Sequence, residues 1–239
     1  MIDLDKEAQQ ARRQFFLTAG AVVCFLFLPI LFVPLFHVIP NRALQILLGQ
    51  LIPHGGTILF IALYSRKCEP EKPLFQRLNL QQTPACNPLN VLKLFFFMFL
   101  LTSAATMLVQ TVSNLLSWNL PEQNVTREAL NGTWWQFAVI AFCSLILAPV
   151  AEELLFRGVL FQAFSRILGK NGAMAGVSLL FALLHWNVLT FLSLFLMGIM
   201  LQKAVEKTGT LRTAIWMHFL NNLISVLYLL VIKIAGLNI

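Results

Sequence analysis

Residues 148–157 read Ala-Pro-Val-Ala-Glu-Glu-Leu-Leu-Phe-Arg, at the far end of an apolar run that begins near Trp134. Two adjacent carboxylates and an arginine are costly inside a segment of membrane character. Insertion scales assign about 2.5–3.5 kcal/mol to one Asp, Lys or Arg at a helix centre. Such groups are tolerated where they face a bundle interior and act there. Glu153 and Arg157 stand four apart, share a helix face and can pair. Glu152 points about 100° away and cannot use that arginine as fully. One glutamate therefore reads as structural and the other as free for chemistry.

Three more polar positions interrupt apolar helices. His185 ends the run Phe181-Ala-Leu-Leu-His185-Trp186, and His218 and Asn222 lie four apart in the last one, on one face. Each has a plain structural reading. An intramembrane histidine or asparagine serves as a hydrogen-bonding link between helices, and Glu153–Arg157 serves as a buried pair. The set says more than its parts. Glu, His, His and Asn on three helices at compatible depths put a carboxylate and hydrogen-bonding side chains into one region of the bundle. Two histidines and a glutamate (His185, His218, Glu152) could also hold Zn2+ with an open position, although no His-Glu-x-x-His pair is present.

The elements that position these residues are membrane spans. The chain has 239 residues, 58% hydrophobic and 11% charged, with a mean hydropathy of +0.77. That composition belongs to a polytopic membrane protein. Apolar runs of spanning length lie at about 15–36, 43–64, 90–117, 134–166, 172–187, 188–206 and 211–235. The fourth is overlong and Pro149 could split it, so an all-α transmembrane bundle of seven or eight helices is expected. Pro149 is expected to kink its helix and free the carbonyl of Leu145. Trp134 and Trp135 read as an interfacial belt, and His37 and His54 as residues near span ends that serve the interface.

The net charge of +7 is not a nucleic-acid signal, because no basic block interleaved with aromatics occurs. The basic residues flank spans instead. With a cytoplasmic N-terminus and seven spans, Lys6, Arg12, Arg13, Arg66, Lys67, Lys72, Arg77, Lys93, Arg166, Lys170, Lys203, Lys207 and Arg212 lie inside. Arg42, Arg127 and Lys233 lie outside, and this bias fixes the orientation. Cys24 and Cys143 lie in apolar runs and Cys68 and Cys86 flank a polar loop, so no disulfide framework is expected. The first apolar run exceeds 20 residues without a cleavage pattern and reads as an uncleaved span.

A hairpin argument joins the polar positions. With the turn between the fourth and fifth spans centred near residues 168–169, Glu152 and His185 are equally far from it and lie at equal depth. Gly172-xxx-Gly176 would let those backbones approach. His218 and Asn222 then sit about 12–20 Å from the turn at Thr208-Gly209-Thr210. The four side chains converge near the basic side. The shortest water path leads there, so a cavity open to the cytoplasm is expected, closed on the outer side by Trp135 to Ile146.

At this point the chain resembles a known family. Glu152-Glu153-xxx-Arg157, Phe181-xxx-His185 and His218-xxx-Asn222, in this order, are similar to the three motifs of the CPBP group. This group contains the type II CAAX prenyl proteases and the bacteriocin-processing or immunity (Abi) proteins. The stretch from Gly198 to Gly209-Thr-Leu is similar to the segment preceding the last motif. The resemblance covers about residues 134–225. It implies an intramembrane endopeptidase, often described as a metalloprotease, acting on membrane-associated or CAAX-type peptides. Glu152 would activate water. His185 would help hold that water or a metal, and His218 and Asn222 would bind a metal or stabilise the oxyanion. Glu153, Arg157 and Phe181 would support them. Residues 1–133 then form amino-terminal spans without a family motif, and 134–239 the catalytic core. Two other readings remain at this level. One is a transporter or proton relay, which uses the same intramembrane residue types but commonly shows internal repeats not evident here. The other is a catalytically silent immunity or scaffold protein.

Overall fold

In the computed structural model, residues 4–85, 87–120 and 123–237 are described. Cys86 and the side chains of Lys6 and His37 lie outside the described set. Among the described residues the fold is all-α with no strand. Six helical stretches are long and apolar enough to cross a membrane, and the protein is a multi-pass integral membrane protein. The stretch Trp134–Leu183 contains one non-helical residue, Gly169 (φ 69°, ψ 171°). Phe156 and Phe181 would be about 37 Å apart along a straight helix, yet their ring centroids are 5.2 Å apart. The chain therefore reverses at Gly169, and seven helices result.

These are α1 (4–38), α2 (Arg42–Cys68), α3 (Pro88–Leu115), α4 (134–168), α5 (170–183), α6 (Val188–Thr208) and α7 (Leu211–Ala235). The starts carry the expected caps. Asn41, Asn87 and Asn187 accept from backbone N–H groups of the first turn, and Thr133 with Gln136 forms a capping box. The left-handed Gly209 (φ 72°) closes α6.

Burial separates the core from the lipid-facing wall. In the apolar window of Trp134–Leu183, 56% of residues are buried, against 6% in that of Arg12–Pro34. The α4–α5 hairpin is the core and α1 lies against it from outside. Phe25 of α1, Phe156 of α4 and Phe181 of α5 form an edge-to-face series through the centre. Gly198 of α6 permits a close helix approach, since an added Cβ would come within 2.8 Å of Ser178 Cβ. Gly176, expected to permit close packing, meets Phe164 and Leu168 at ordinary contact distances. Leu31, Met107, Ile167 and Val231 are exposed, as a bilayer requires.

Two helices contain π-helical turns: Val23–Phe27 in α1, and Cys143–Leu147 and Leu154–Leu160 in α4. Such turns insert one residue and concentrate at functional sites. The two in α4 bracket Glu152 and Glu153. At the far end of α4, a short helix (Asn124–Asn131) is held by the Arg42–Glu128 ion pair and by Lys233, whose Nζ donates to the carbonyls of Leu130 and Gly132 at 2.7 Å each.

Candidate active site

Glu153 is fully buried and anchors the centre. Its Oε1 accepts from Arg157 Nη1 at 3.0 Å and from His218 Nδ1 at 2.9 Å. Arg157 also donates to the carbonyl of Gly198 at 3.3 Å, and its guanidinium lies 4.6 Å from the Phe181 ring centroid. The expected Glu153–Arg157 pair is present, and it does more than brace α4. Through Oε1 it fixes the ring of His218, a residue of α7.

Glu152, one position earlier, faces a different surface. Its Oε2 lies 3.9 Å from His218 Nε2, and its Oε1 lies 3.6 Å from Nε2 of His54 on α2. Oε2 is buried and finds no hydrogen-bond partner among the described residues. Glu152, His185, His218 and Asn222 line one cavity of about 330 Å³. The structure thus brings together the four residues singled out by spacing.

Each histidine ring is held from its Nδ1 side. His54 Nδ1 meets the Gln50 carbonyl at 2.8 Å and His185 Nδ1 meets the Phe181 carbonyl at 2.7 Å. A carbonyl only accepts, so both Nδ1 atoms carry the proton. The Glu153 carboxylate, paired to Arg157, imposes the same choice on His218. In the neutral rings all three Nε2 atoms are left as lone-pair acceptors. Phe181 is fully buried beneath them, with ring centroids 4.7 Å from His185 and 6.0 Å from His218.

Asn222 Nδ2 donates to the carbonyl of Ser144 at 2.8 Å. This corrects the expectation that Pro149 frees the carbonyl of Leu145. The turn is π-helical, with the Ala148 N–H bonded to Cys143 O, five residues back. The missing N–H of Pro149 therefore orphans Ser144 O, and Asn222 supplies the replacement donor. One hydrogen of the Asn222 amide remains for another acceptor.

With this geometry fixed, the comparisons carry a definite result. Residues 134–224 match the family described as type II CAAX prenyl endopeptidase Rce1-like. Over this segment the chain is similar to that family. No curated protein and no solved structure matches the chain. The matched segment contains Glu152, Glu153, Arg157, Phe181, His185, His218 and Asn222.

His54 lies outside the matched domain and was read from the sequence as an interfacial residue. It is instead buried beside Glu152, with its ring edge-on to Phe25 at 5.4 Å. A division of the chain at residue 133 therefore does not separate the site from the amino-terminal helices. The signal available in the sequence was a polar ring within an apolar span, ahead of Gly55-Gly56.

Zinc is the metal that the donor types suit, and the shared Nδ1–H tautomer is the one that metal-ligating histidines adopt. The spacing does not match. Among the described residues no group of three His, Cys, Asp or Glu side chains is placed to hold a metal ion. As arranged, these side chains surround a carboxylate rather than a common point.

The cavity is lined by Gln123, Val125 and Thr126 of the α3–α4 connection and by Ser225 of α7. It runs away from the Gly169 and Gly209 turns, toward the opposite end of the bundle. The stretch expected to plug that end forms a wall, with Ile140, Cys143 and Ser144 along its side. The Asn124–Asn131 helix, tied to α2 and α7, occupies this end and its first turn lines the opening.

Proposed function

We propose that the protein is an intramembrane endopeptidase in which Glu152 activates water against a peptide bond of a membrane-associated substrate. The observation that carries this reading is the buried Glu152 carboxylate, whose Oε2 has no hydrogen-bond partner among the described residues. It is flanked by two Nε2 acceptors, His54 at 3.6 Å and His218 at 3.9 Å, in a cavity shared with His185 and Asn222. Acceptors at that spacing are satisfied together by a water that donates one hydrogen to the carboxylate and one to an imidazole. A water so held turns its oxygen lone pairs toward the cavity.

The reaction then follows from the donors and acceptors. Water loses a proton to Glu152 as its oxygen bonds to the carbonyl carbon. The second amide hydrogen of Asn222 is offered to the oxyanion. The proton on Glu152 passes to the leaving nitrogen as the C–N bond breaks. The Nε2 of His54 or of His218 accepts the second hydrogen of the water and so orients it, His185 lines the same cavity, and Glu153, Arg157 and Phe181 hold the rings.

The lysine and arginine bias places the N-terminus and both turns in the cytoplasm. The cavity then opens to the other side of the membrane, which reverses the access inferred from depth alone. Substrates that present a scissile bond at that face, such as leader peptides or membrane-protein segments, meet the open end. A CAAX peptide held at the cytoplasmic leaflet meets the closed one.

The test uses the full chain in proteoliposomes with quenched peptides of both classes. Wild-type protein should cleave, and Glu152→Gln should lose at least about 10²–10⁴-fold in rate while remaining folded. Solute flux without cleavage would establish a transporter instead, and a folded wild type inert to every peptide would leave a non-catalytic role.

A further inference from the structure

A second cavity, of about 570 Å³, lies at the other end of the bundle and shares no lining residue with the Glu152 cavity. Three guanidinium groups reach it from three elements: Arg13 of α1, Arg77 of the α2–α3 connection and Arg166 of α4. One carboxylate, Glu69, lines it as well, and its Oε1 is already engaged by Lys72 Nζ at 2.7 Å. The cavity is therefore cationic.

Arg77 is the informative residue. Its Nε and Nη1 are buried and have no hydrogen-bond partner among the described residues. Buried charged donors without acceptors are costly. A guanidinium satisfies several donors at once with a planar or tetrahedral oxyanion, and phosphate and carboxylate are its usual partners.

The site is held rigidly. Arg77 ends a single helical turn, Leu74–Arg77, which is followed by a left-handed Asn79 (φ 54°). That backbone turns the Asn79 carbonyl to accept from Leu211 N at 2.9 Å and from Thr210 Oγ1 at 3.0 Å. Thr83 Oγ1 donates to the Thr208 carbonyl at 2.6 Å. The connection is thus fastened to the α6–α7 turn at Asn79 and again at Thr83. On the opposite wall, Tyr64 donates to the Arg13 carbonyl at 3.1 Å and Gln14 to the Val159 carbonyl at 3.3 Å.

The geometry points to a binding site for a phosphate-bearing anion, with the headgroup of an anionic phospholipid as its source. Arg13 is followed by Phe15 and Phe16, which are exposed beside it, and Leu17, Ile61 and Val159 complete the cavity wall. Charged groups over apolar walls, at the basic ends of membrane helices, match a headgroup and the first carbons beneath it.

The test is thermal unfolding of the full chain in neutral detergent, titrated with phosphatidylglycerol, phosphatidylcholine or inorganic phosphate. Phosphatidylglycerol should stabilise the protein at concentrations where phosphatidylcholine does not. Equal stabilisation by inorganic phosphate would identify free phosphate as the ligand, retaining the phosphate site and replacing its source. Arg77→Gln should weaken the effect at least about tenfold, the scale of charge-assisted hydrogen bonds lost from a bound anion. If that variant does not fold, Arg13→Gln, which leaves the Asn79 turn intact, should weaken it similarly. Lys203→Gln removes the same charge outside the cavity and should have no effect. Equal response to both phospholipids without phosphate binding would overturn the proposal. So would a Lys203→Gln loss matching that of the cavity variants.

Discussion

Glu153→Gln tests whether the buried carboxylate beside Glu152 is a brace, an orienting group or the base itself. Glu153 Oε1 accepts two hydrogen bonds, from Arg157 and His218, and the side chains of Glu153 and Arg157 are 0% and 1% exposed. A glutamine keeps the shape and one acceptor but removes the charge. Bonds to charged groups contribute about 1.5–3 kcal/mol against about 0.5–1.5 kcal/mol for neutral ones. Two weakened bonds therefore cost about 2–3 kcal/mol, and an uncompensated buried arginine sets the upper range at about 3–5 kcal/mol. We expect Glu153→Gln to lower the unfolding free energy in detergent by about 3 kcal/mol and to reduce cleavage. The double variant Glu153→Gln/Arg157→Met removes the orphaned charge, so much of the stability should return. Its activity should not return, because His218 Nδ1 still lacks its carboxylate. Stability within about 0.5 kcal/mol of wild type, the range of a neutral substitution, combined with complete loss of turnover in Glu153→Gln would refute this reasoning and move the base from Glu152 to Glu153.

His54→Phe should reduce kcat about 10²-fold or more with KM little changed, measured on the same peptides, because it removes an acceptor for the water and not a substrate contact. Asn222→Ala should destabilise by about 1–3 kcal/mol by leaving the Ser144 carbonyl unpaired. Adding Pro149→Ala supplies an N–H for that carbonyl, and chemical denaturation should show stability recovered while cleavage stays low. In a background without native cysteines, Ser225→Cys should react with a membrane-impermeant thiol reagent from the non-cytoplasmic face, and labelling solely from the cytoplasmic face would reverse the proposed orientation of the cavity.

The convergence of Glu152, His185, His218 and Asn222 was legible because it depends on counting. Glu152 and His185 flank a turn at 168–169, and Phe156 and Phe181, also symmetric about that turn, are in ring contact. The pairing of Glu153 with Arg157 followed from a four-residue spacing. Counting fails where the helix is not regular. The π-turn at Cys143–Leu147 shifts the orphaned carbonyl from Leu145 to Ser144, and no periodicity in an all-apolar stretch marks one inserted residue. Counting also fails across elements that no motif joins. His54 is 98 positions before Glu152, and its place is set by how α2 packs on α4. Path length to the turns likewise carries no information about the Asn124–Asn131 helix, which the Arg42–Glu128 pair and Lys233 hold in place and whose first residues line the cavity.

The residues that decide the chemistry are one step behind those that the motifs display. A histidine in a membrane helix is equally a link, a ligand or an acceptor, and its residue type does not choose among them. The choice is made by what meets Nδ1: the Gln50 carbonyl for His54, the Phe181 carbonyl for His185 and the Glu153 carboxylate for His218. Two of these partners are backbone groups of the histidine's own helix, four residues back, so the tautomer is set by local geometry that any sequence with a histidine there could adopt. The third is a tertiary contact requiring Glu153, Arg157 and the close approach of α6 at Gly198. His218 is therefore the ring whose tautomer and orientation depend on a contact between helices. Loss of that one contact should uncouple assembly of the cavity from its activity, which is the separation that the Glu153→Gln/Arg157→Met pair is designed to detect.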